Sequence, residues 1–139
     1  MRGGYSMLSQ LAKYSEDAPF VLRLILGAVF LYAGLQKIFV FTAHGFAQML
    51  SFLPVPLFWA WLVIIVEVIG GLFLILGLWV RWVSILAAIN MAVATGVVIV
   101  TQGLGTAFAP IFGFAMAIAL LVLGAGCWSL EKAAFGKEC

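Results

Sequence analysis

The sequence predicts an all-α membrane protein, a bundle of four transmembrane helices with both termini in the cytoplasm. Two observations predict this class. Of the 139 residues, 66% are hydrophobic and 9% are charged, whereas soluble domains carry about a quarter of their residues as charges. The mean hydropathy is +1.26, and the mass of 15.0 kDa fits a single domain. The chain therefore has too few charged side chains to cover a surface in water.

Long apolar runs define the predicted helices, because a membrane-crossing helix needs roughly 20 apolar residues. Residues 82–130 contain no Asp, Glu, Lys or Arg, a stretch that is too long for one helix. We place a turn in the Gly-rich segment 102–106, which divides this stretch. The four predicted spans are residues 20–41, 57–80, 82–101 and 107–128.

The basic residues predict the orientation. With both termini inside, six of the seven Lys and Arg residues are cytoplasmic, which is a strong positive-inside bias. Lys37 is the exception, and Arg23 and Arg81 are interpreted as topology determinants. The predicted organisation is a cytoplasmic interfacial segment over residues 1–19, the four-helix membrane domain over residues 20–130 and a cytoplasmic tail over residues 131–139.

The connections between the spans carry amphipathic features. Apolar spacing in residues 42–56 predicts a helix lying in the outer interface. Residues 1–18 form either a short interfacial helix or a frayed tail. Tryptophans fall at the predicted span ends, where we interpret them as interface anchors. They are Trp59, Trp61, Trp79, Trp82 and Trp128.

The composition excludes several kinds of chemistry. The single His44 cannot supply a bis-histidine haem or a three-ligand metal site, and the two Cys lie twelve positions apart with no C-x-x-C motif, so we expect no metal centre and no covalently bound cofactor. A disulfide between Cys127 and Cys139 is not expected, because both residues are predicted to face the reducing cytosol. The net charge of +2 provides no nucleic-acid footprint.

Glu67 is the charged residue with the highest expected free-energy cost of insertion into the bilayer. It lies ten residues into the second span, near the bilayer midplane. A carboxyl at that depth is either protonated or paired with a cation, and Lys37 in the last turn of the first span is the nearest candidate. Two interpretations stay open: Glu67 fixes helix register, or it belongs to a ligand or proton site. The candidate polar, proton or quinone site comprises Glu67, Lys37, His44, Asn90 and Gln36.

Small residues recur at helical spacing on every span, which allows helices to approach closely in a membrane. On the second span, two glycines follow Glu67 at three and four residues, on its own face of the helix. The candidate helix-packing residues are Gly27, Gly34, Gly70, Gly71 and Gly113.

Three motifs in the correct order resemble the DoxX family of small integral membrane proteins. The first is R-L-x-L-G at residues 23–27 with G-L-x-K at residues 34–37. The second, E-x-x-G-G-L-x-L-x-L-G-L-x-x-R at residues 67–81, is similar to the most characteristic segment of the family. The third is G-x-G-x-x-S-L-E at residues 124–131. Together the resemblance covers about residues 20–132.

The resemblance implies a multi-pass protein of the cytoplasmic membrane of a bacterium or archaeon, acting as a membrane subunit of an oxidoreductase assembly. Such a subunit would contact a quinone or lipid, and because the sequence has no redox-centre motif, a partner subunit would carry the redox centre. It would be at most a subunit without its own redox centre. The alternatives are a purely structural accessory subunit of a larger complex and a small proton-coupled transporter or lipid-binding protein.

Overall fold

The computed structural model describes residues 7, 9, 10, 14, 17–53 and 56–136, and within them all regular structure is helical. Most of the predicted segment 1–19, Arg2 and Lys13 included, lies outside the described residues, as do Pro54, Val55, Lys137 and Cys139. The elements are α1 (Ala18–Phe39), α2 (Thr42–Met49), α3 (Leu57–Leu76), α4 (Val80–Gln102), a 3-10 turn (Leu104–Thr106), α5 (Phe108–Leu123) and α6 (Leu130–Phe135).

Three helices, α1, α3 and α4, are long and apolar enough to cross a membrane. The fourth apolar helix, α5, has 16 residues and is about 24 Å long at 1.5 Å per residue, shorter than the span predicted over residues 107–128. The difference arises at Gly124, whose φ of 75° ends the helix and begins an irregular turn. The structure is thus a helical membrane bundle of three long helices and one short one.

A tight turn separates α3 from α4, so the second predicted span ends earlier than residue 80. Gly77 adopts a left-handed conformation with a φ of 74°, and the amide of Leu78 donates to the carbonyl oxygen of Phe73 at 2.9 Å. This arrangement is a typical glycine cap at a helix C-terminus. Residues 77–79 suffice to reverse the chain, and Val80 already belongs to α4.

The bundle consists mainly of two antiparallel helix pairs, α1 with α3 and α4 with α5. Glycines bring the first pair into backbone contact: a Cβ at Gly71 would lie 2.8 Å from the carbonyl oxygen of Gly27 and 2.8 Å from the amide nitrogen of Leu31. In the second pair, a Cβ at Gly113 would lie 2.7 Å from the sulfur of Met91. The first pair therefore packs at a distance that larger side chains would not permit, whereas at Gly113 the space is occupied by the flexible side chain of Met91.

The core lies where the four helices meet. It contains Leu26 and Phe30 of α1, Leu74 of α3, residues of α4 and Leu120 of α5, all fully or nearly fully buried. The outward faces are apolar as well: Ile89 and Phe112, for example, are 58% and 66% exposed. Such surfaces are favourable in lipid and unfavourable in water, so the helices contact the bilayer.

Two features lie at the ends of the bundle. The helix predicted in residues 42–56 is α2, which spans Thr42–Met49 and packs against α1 and α3.

At the opposite end, where α1 begins and α6 lies, Cys127 of the turn after α5 is disulfide-bonded. The expectation of reduced cysteines is therefore wrong for Cys127. That expectation depended on the predicted cytoplasmic location of this end, because disulfides are rare in the cytosol.

Candidate intramembrane polar site

Three helices each contribute one polar side chain to a single cluster inside the bundle. Lys37 lies in the last turn of α1, Glu67 lies at the middle of α3, and Asn90 lies near the middle of α4. Lys37 lies nearer the end of the bundle than Glu67 does. Its long aliphatic stem allows the ammonium to reach the Glu67 carboxylate deeper in the bundle. We call this cluster the Lys37–Glu67–Asn90 triad.

The triad is closely hydrogen-bonded. The Lys37 ammonium Nζ lies 2.6 Å from Oε1 and 2.6 Å from Oε2 of Glu67. The Asn90 amide Nδ2 donates to Oε1 of Glu67 at 3.2 Å. Both carboxylate oxygens thus accept hydrogen bonds, which is how a buried carboxylate is normally stabilised.

Burial differs between the two charged partners. The Glu67 side chain is 3% exposed and the Lys37 side chain is 18% exposed. The Lys37 ammonium also lies 5.1 Å from the centre of the Phe46 ring, in the range of a cation–π contact. Phe46 belongs to α2, so this short helix lies over the more accessible partner of the ion pair.

Glycines allow the helices that carry the triad to approach each other. A Cβ at Gly34 would lie 2.6 Å from Cγ2 of Val68 and 3.2 Å from Cβ of Glu67. Gly70, one turn after Glu67, faces Val83 of α4. The three side chains of the triad extend from three different helices. They can meet at one carboxylate because these helices lie close together.

Two of the five candidate site residues are not joined to this cluster. His44 is exposed on α2, and Gln36 is half-buried on α1. Within the described part of the chain, neither side chain hydrogen-bonds to the triad. Their suggested roles at a proton or quinone site stay predictions.

A second polar cluster lies at the end where α1 begins. Arg23 is fully buried, and its Nη2 donates to the carbonyl oxygen of Trp128 at 2.6 Å. Its Nε and Nη1 are buried and have no hydrogen-bond partner in the structure. Its guanidinium lies 5.6 Å from the Phe20 ring centre and against Gly77, where any Cβ would collide with Nη1.

The contacts of Trp128 were not anticipated from the sequence, which suggested only an interface anchor. Its indole Nε1 donates to Oδ1 of Asp17 at 3.1 Å, and its ring lies 6.5 Å from that of Phe20. For this second polar cluster, the signal available in the sequence was the charge of Arg23 within the first turns of a predicted span. That position is equally compatible with an arginine that extends to the interface, so it could not reveal burial.

The described residues contain no group of three or more His, Cys, Asp or Glu side chains placed to hold a metal ion. The triad itself provides one carboxylate, one ammonium and one amide. An ammonium already occupies the carboxylate, so the arrangement suits hydrogen bonding and proton exchange with a neutral polar ligand.

Comparison with known proteins identifies one family. No curated protein and no solved structure matches the chain. The family model DoxX matches residues 18–102, which include α1 to α4 and all three triad residues. With its membrane helices, this match makes the chain a small multi-pass integral membrane protein, and the chain belongs to the DoxX family.

Proposed function

We propose that this protein is the membrane subunit of an oxidoreductase assembly and that it contacts a quinone at the Lys37–Glu67–Asn90 triad. The redox centre would belong to a partner subunit, because the sequence provides none. In this proposal the protein resides in the cytoplasmic membrane of a bacterium or archaeon with both termini inside.

One observation carries the proposal: a partly exposed ammonium is held by a buried carboxylate within the membrane. An ammonium has three N–H donors, and two of the three suffice for the Glu67 oxygens, each at 2.6 Å. The third can donate to a quinone carbonyl oxygen. The Lys37 side chain is 18% exposed, so it is accessible to a ligand.

The chemistry follows from the needs of a quinone. Reduction to a quinol takes two electrons, here from the partner's redox centre, and two protons. An ammonium hydrogen bond on one carbonyl stabilises the negative charge that develops there. Lys37 would give one of these protons to the quinone and, because its side chain is 18% exposed, would take a proton back from water, which would also supply the second proton of the quinol.

A structural accessory role is the second candidate, and it too is favoured by a specific observation. Both oxygens of Glu67 are hydrogen-bonded within the bundle, and its side chain is 3% exposed. A buried carboxylate whose two oxygens are both hydrogen-bonded can fix helix register without any ligand.

Mild solubilisation of membranes, followed by native purification, tests both candidates. We would quantify co-purifying redox proteins and bound quinone, and measure quinone-linked electron transfer, for the wild type and for Glu67→Gln, Lys37→Gln and Thr101→Val. Thr101 is the matched control because, within the described part of the chain, its hydroxyl bonds only to the carbonyl oxygen of Val97 on its own helix, at 2.8 Å.

Under the quinone proposal, the Glu67 and Lys37 variants lose at least about tenfold in electron transfer or quinone retention, as expected for a lost charged hydrogen bond, and Thr101→Val behaves like the wild type. Under the accessory role, the assembly contains its partners, but neither triad variant changes quinone retention or electron transfer. An assembly that holds no quinone and no redox protein contradicts the quinone proposal.

A further inference from the structure

A cavity with three charged side chains in its walls lies at the end of the bundle where α3 turns into α4. Its volume is about 410 Å³, and its walls come from the start of α4, the turn after α5 and the start of α6. Arg81 and Lys132 contribute positive charges, and Glu131 contributes one negative charge. The cavity therefore carries a net positive charge.

Neither of the two cations is paired with a carboxylate among the described residues. In the described residues Arg81 makes no ion pair or side-chain hydrogen bond, and the Lys132 ammonium has only a weak contact of 3.9 Å to the sulfur of Cys127. Arg81 lies close to the backbone of Gly124, since a Cβ at Gly124 would be 3.3 Å from Nε of Arg81. The backbone of the turn thus forms one wall beside the guanidinium.

An apolar groove begins where this cavity ends. The groove, of about 250 Å³, runs between α3 and α4 and is lined almost entirely by apolar atoms. On α3 it extends from Ile65 to Phe73, which is about 12 Å along the helix axis at 1.5 Å per residue. Gly70, which has no side chain, lines the groove at its middle.

The cavity and the groove share two walls, Trp79 and Trp82. Their side chains are 59% and 72% exposed, and tryptophan prefers the boundary between headgroups and hydrocarbon. A ligand that occupies both spaces must therefore have an anionic head at the interface and an apolar chain that follows α3 into the membrane.

We propose that this protein binds one anionic phospholipid at this place, with the lipid phosphate on Arg81 and Lys132 and one acyl chain in the groove between α3 and α4. A guanidinium and an ammonium are the side chains that bind phosphate. The site lies at the opposite end of the bundle from α2, and it does not depend on the quinone proposal.

Lipid titration of the delipidated full-length protein, followed by native mass spectrometry, tests this site. The probes are phosphatidylglycerol and phosphatidylcholine with identical acyl chains, and inorganic phosphate as a competitor. We expect one phosphatidylglycerol to bind at least tenfold more tightly than phosphatidylcholine. Inorganic phosphate at the same concentration should not displace it, because phosphate lacks the chain that fills the groove.

Three variants test the charges and the groove separately. Two of them should weaken lipid binding and one should strengthen it. Arg81→Gln combined with Lys132→Gln should weaken phosphatidylglycerol binding about 30-fold, taking about 1 kcal/mol per cation near a membrane surface. Glu131→Gln should strengthen binding, since it removes the one carboxylate from the cavity. Leu86→Trp, which fills the groove, should weaken binding of both lipids while leaving the charges intact.

Equal affinity for the two lipids would overturn the proposal, as would unchanged binding in the Arg81 and Lys132 double variant. Displacement by inorganic phosphate would show an anion site without a lipid chain, which is also contrary to the proposal. If the double variant fails to fold, Glu131→Gln still decides, because a lower or unchanged affinity for phosphatidylglycerol contradicts the charge argument. Quinone retention should be the same in all these variants, which separates this test from that of the triad.

Discussion

Replacing Glu67 by Gln, Lys37 by Met, and both together probes the ion pair inside the bundle. The first change keeps the shape of the side chain and removes its charge, whereas the second keeps the length of the stem and removes the ammonium. Each single variant leaves the other partner of the pair without its counter-charge. The double variant leaves neither charge in the membrane, with only Asn90 to satisfy the remaining amide.

The structure sets the expected magnitude. At a separation of 2.6 Å, two unit charges attract by about 6 kcal/mol with an effective dielectric constant of about 20, from which the cost of desolvating both groups must be subtracted. Breaking a buried pair by removing one partner typically costs about 3 to 5 kcal/mol. Because Lys37 is 18% exposed and can regain some solvation, we expect about 3 kcal/mol for each single variant.

The double variant decides the interpretation. It should lose about 2 kcal/mol rather than the additive 6 kcal/mol, because neither partner of the pair is left behind as an unpaired charge. The free energy of unfolding can be measured by reversible denaturation with increasing SDS in mixed micelles. A double-variant loss near the sum of the two single losses would refute the reasoning, since it would mean that the two side chains act independently.

Three further predictions concern the packing, the second polar cluster and the topology. Gly71→Ala should lower the free energy of unfolding by about 1 to 3 kcal/mol, because its methyl group would meet the backbone of Gly27. Gly96→Ala, whose methyl group would meet nothing within 4 Å, is the matched control in α4 and should not destabilise; equal losses in both would contradict the packing argument. Arg23→Met should change stability by less than about 1 kcal/mol, because the lost bond to the Trp128 carbonyl is offset by removal of two buried nitrogen atoms, Nε and Nη1, that have no hydrogen-bond partner; a loss above about 3 kcal/mol in SDS titration would disprove this balance. A C-terminal green fluorescent protein fusion should fluoresce and an alkaline phosphatase fusion should be inactive, as the basic residues predict; the reverse pattern would invert the topology.

The pairing of Lys37 with Glu67 could be predicted from the sequence, because the depth of each residue in the membrane and the helical spacing leave few possible partners. A carboxylate near the midplane needs a partner, and few polar side chains are within reach. Asn90 followed from the same argument. Gln36 and His44 are near in sequence, but a hydrogen bond depends on how far each helix is rotated, which packing between helices decides.

Arg23 shows where sequence reasoning stops. An arginine in the first turns of a span can extend to the interface or turn inward, and the charge pattern is identical in both cases. Its burial depends on Gly77 and on the carbonyl of Trp128, a residue 105 positions away. The early end of α5 at Gly124 is similar, because no charge marks the boundary in that apolar stretch.

The position of the ion pair along the chain has a consequence for biogenesis. Lys37 and Glu67 both belong to the first helical hairpin, whose glycines bring α1 and α3 into contact. During synthesis these two helices leave the ribosome before Asn90 and α5, so the two charges can neutralise each other as the hairpin enters the bilayer. An isolated charge at the centre of a helix costs about 2.5 to 3.5 kcal/mol to insert. The first hairpin can thus enter the membrane with this cost already reduced, and α4 adds its amide to a site that is electrically complete.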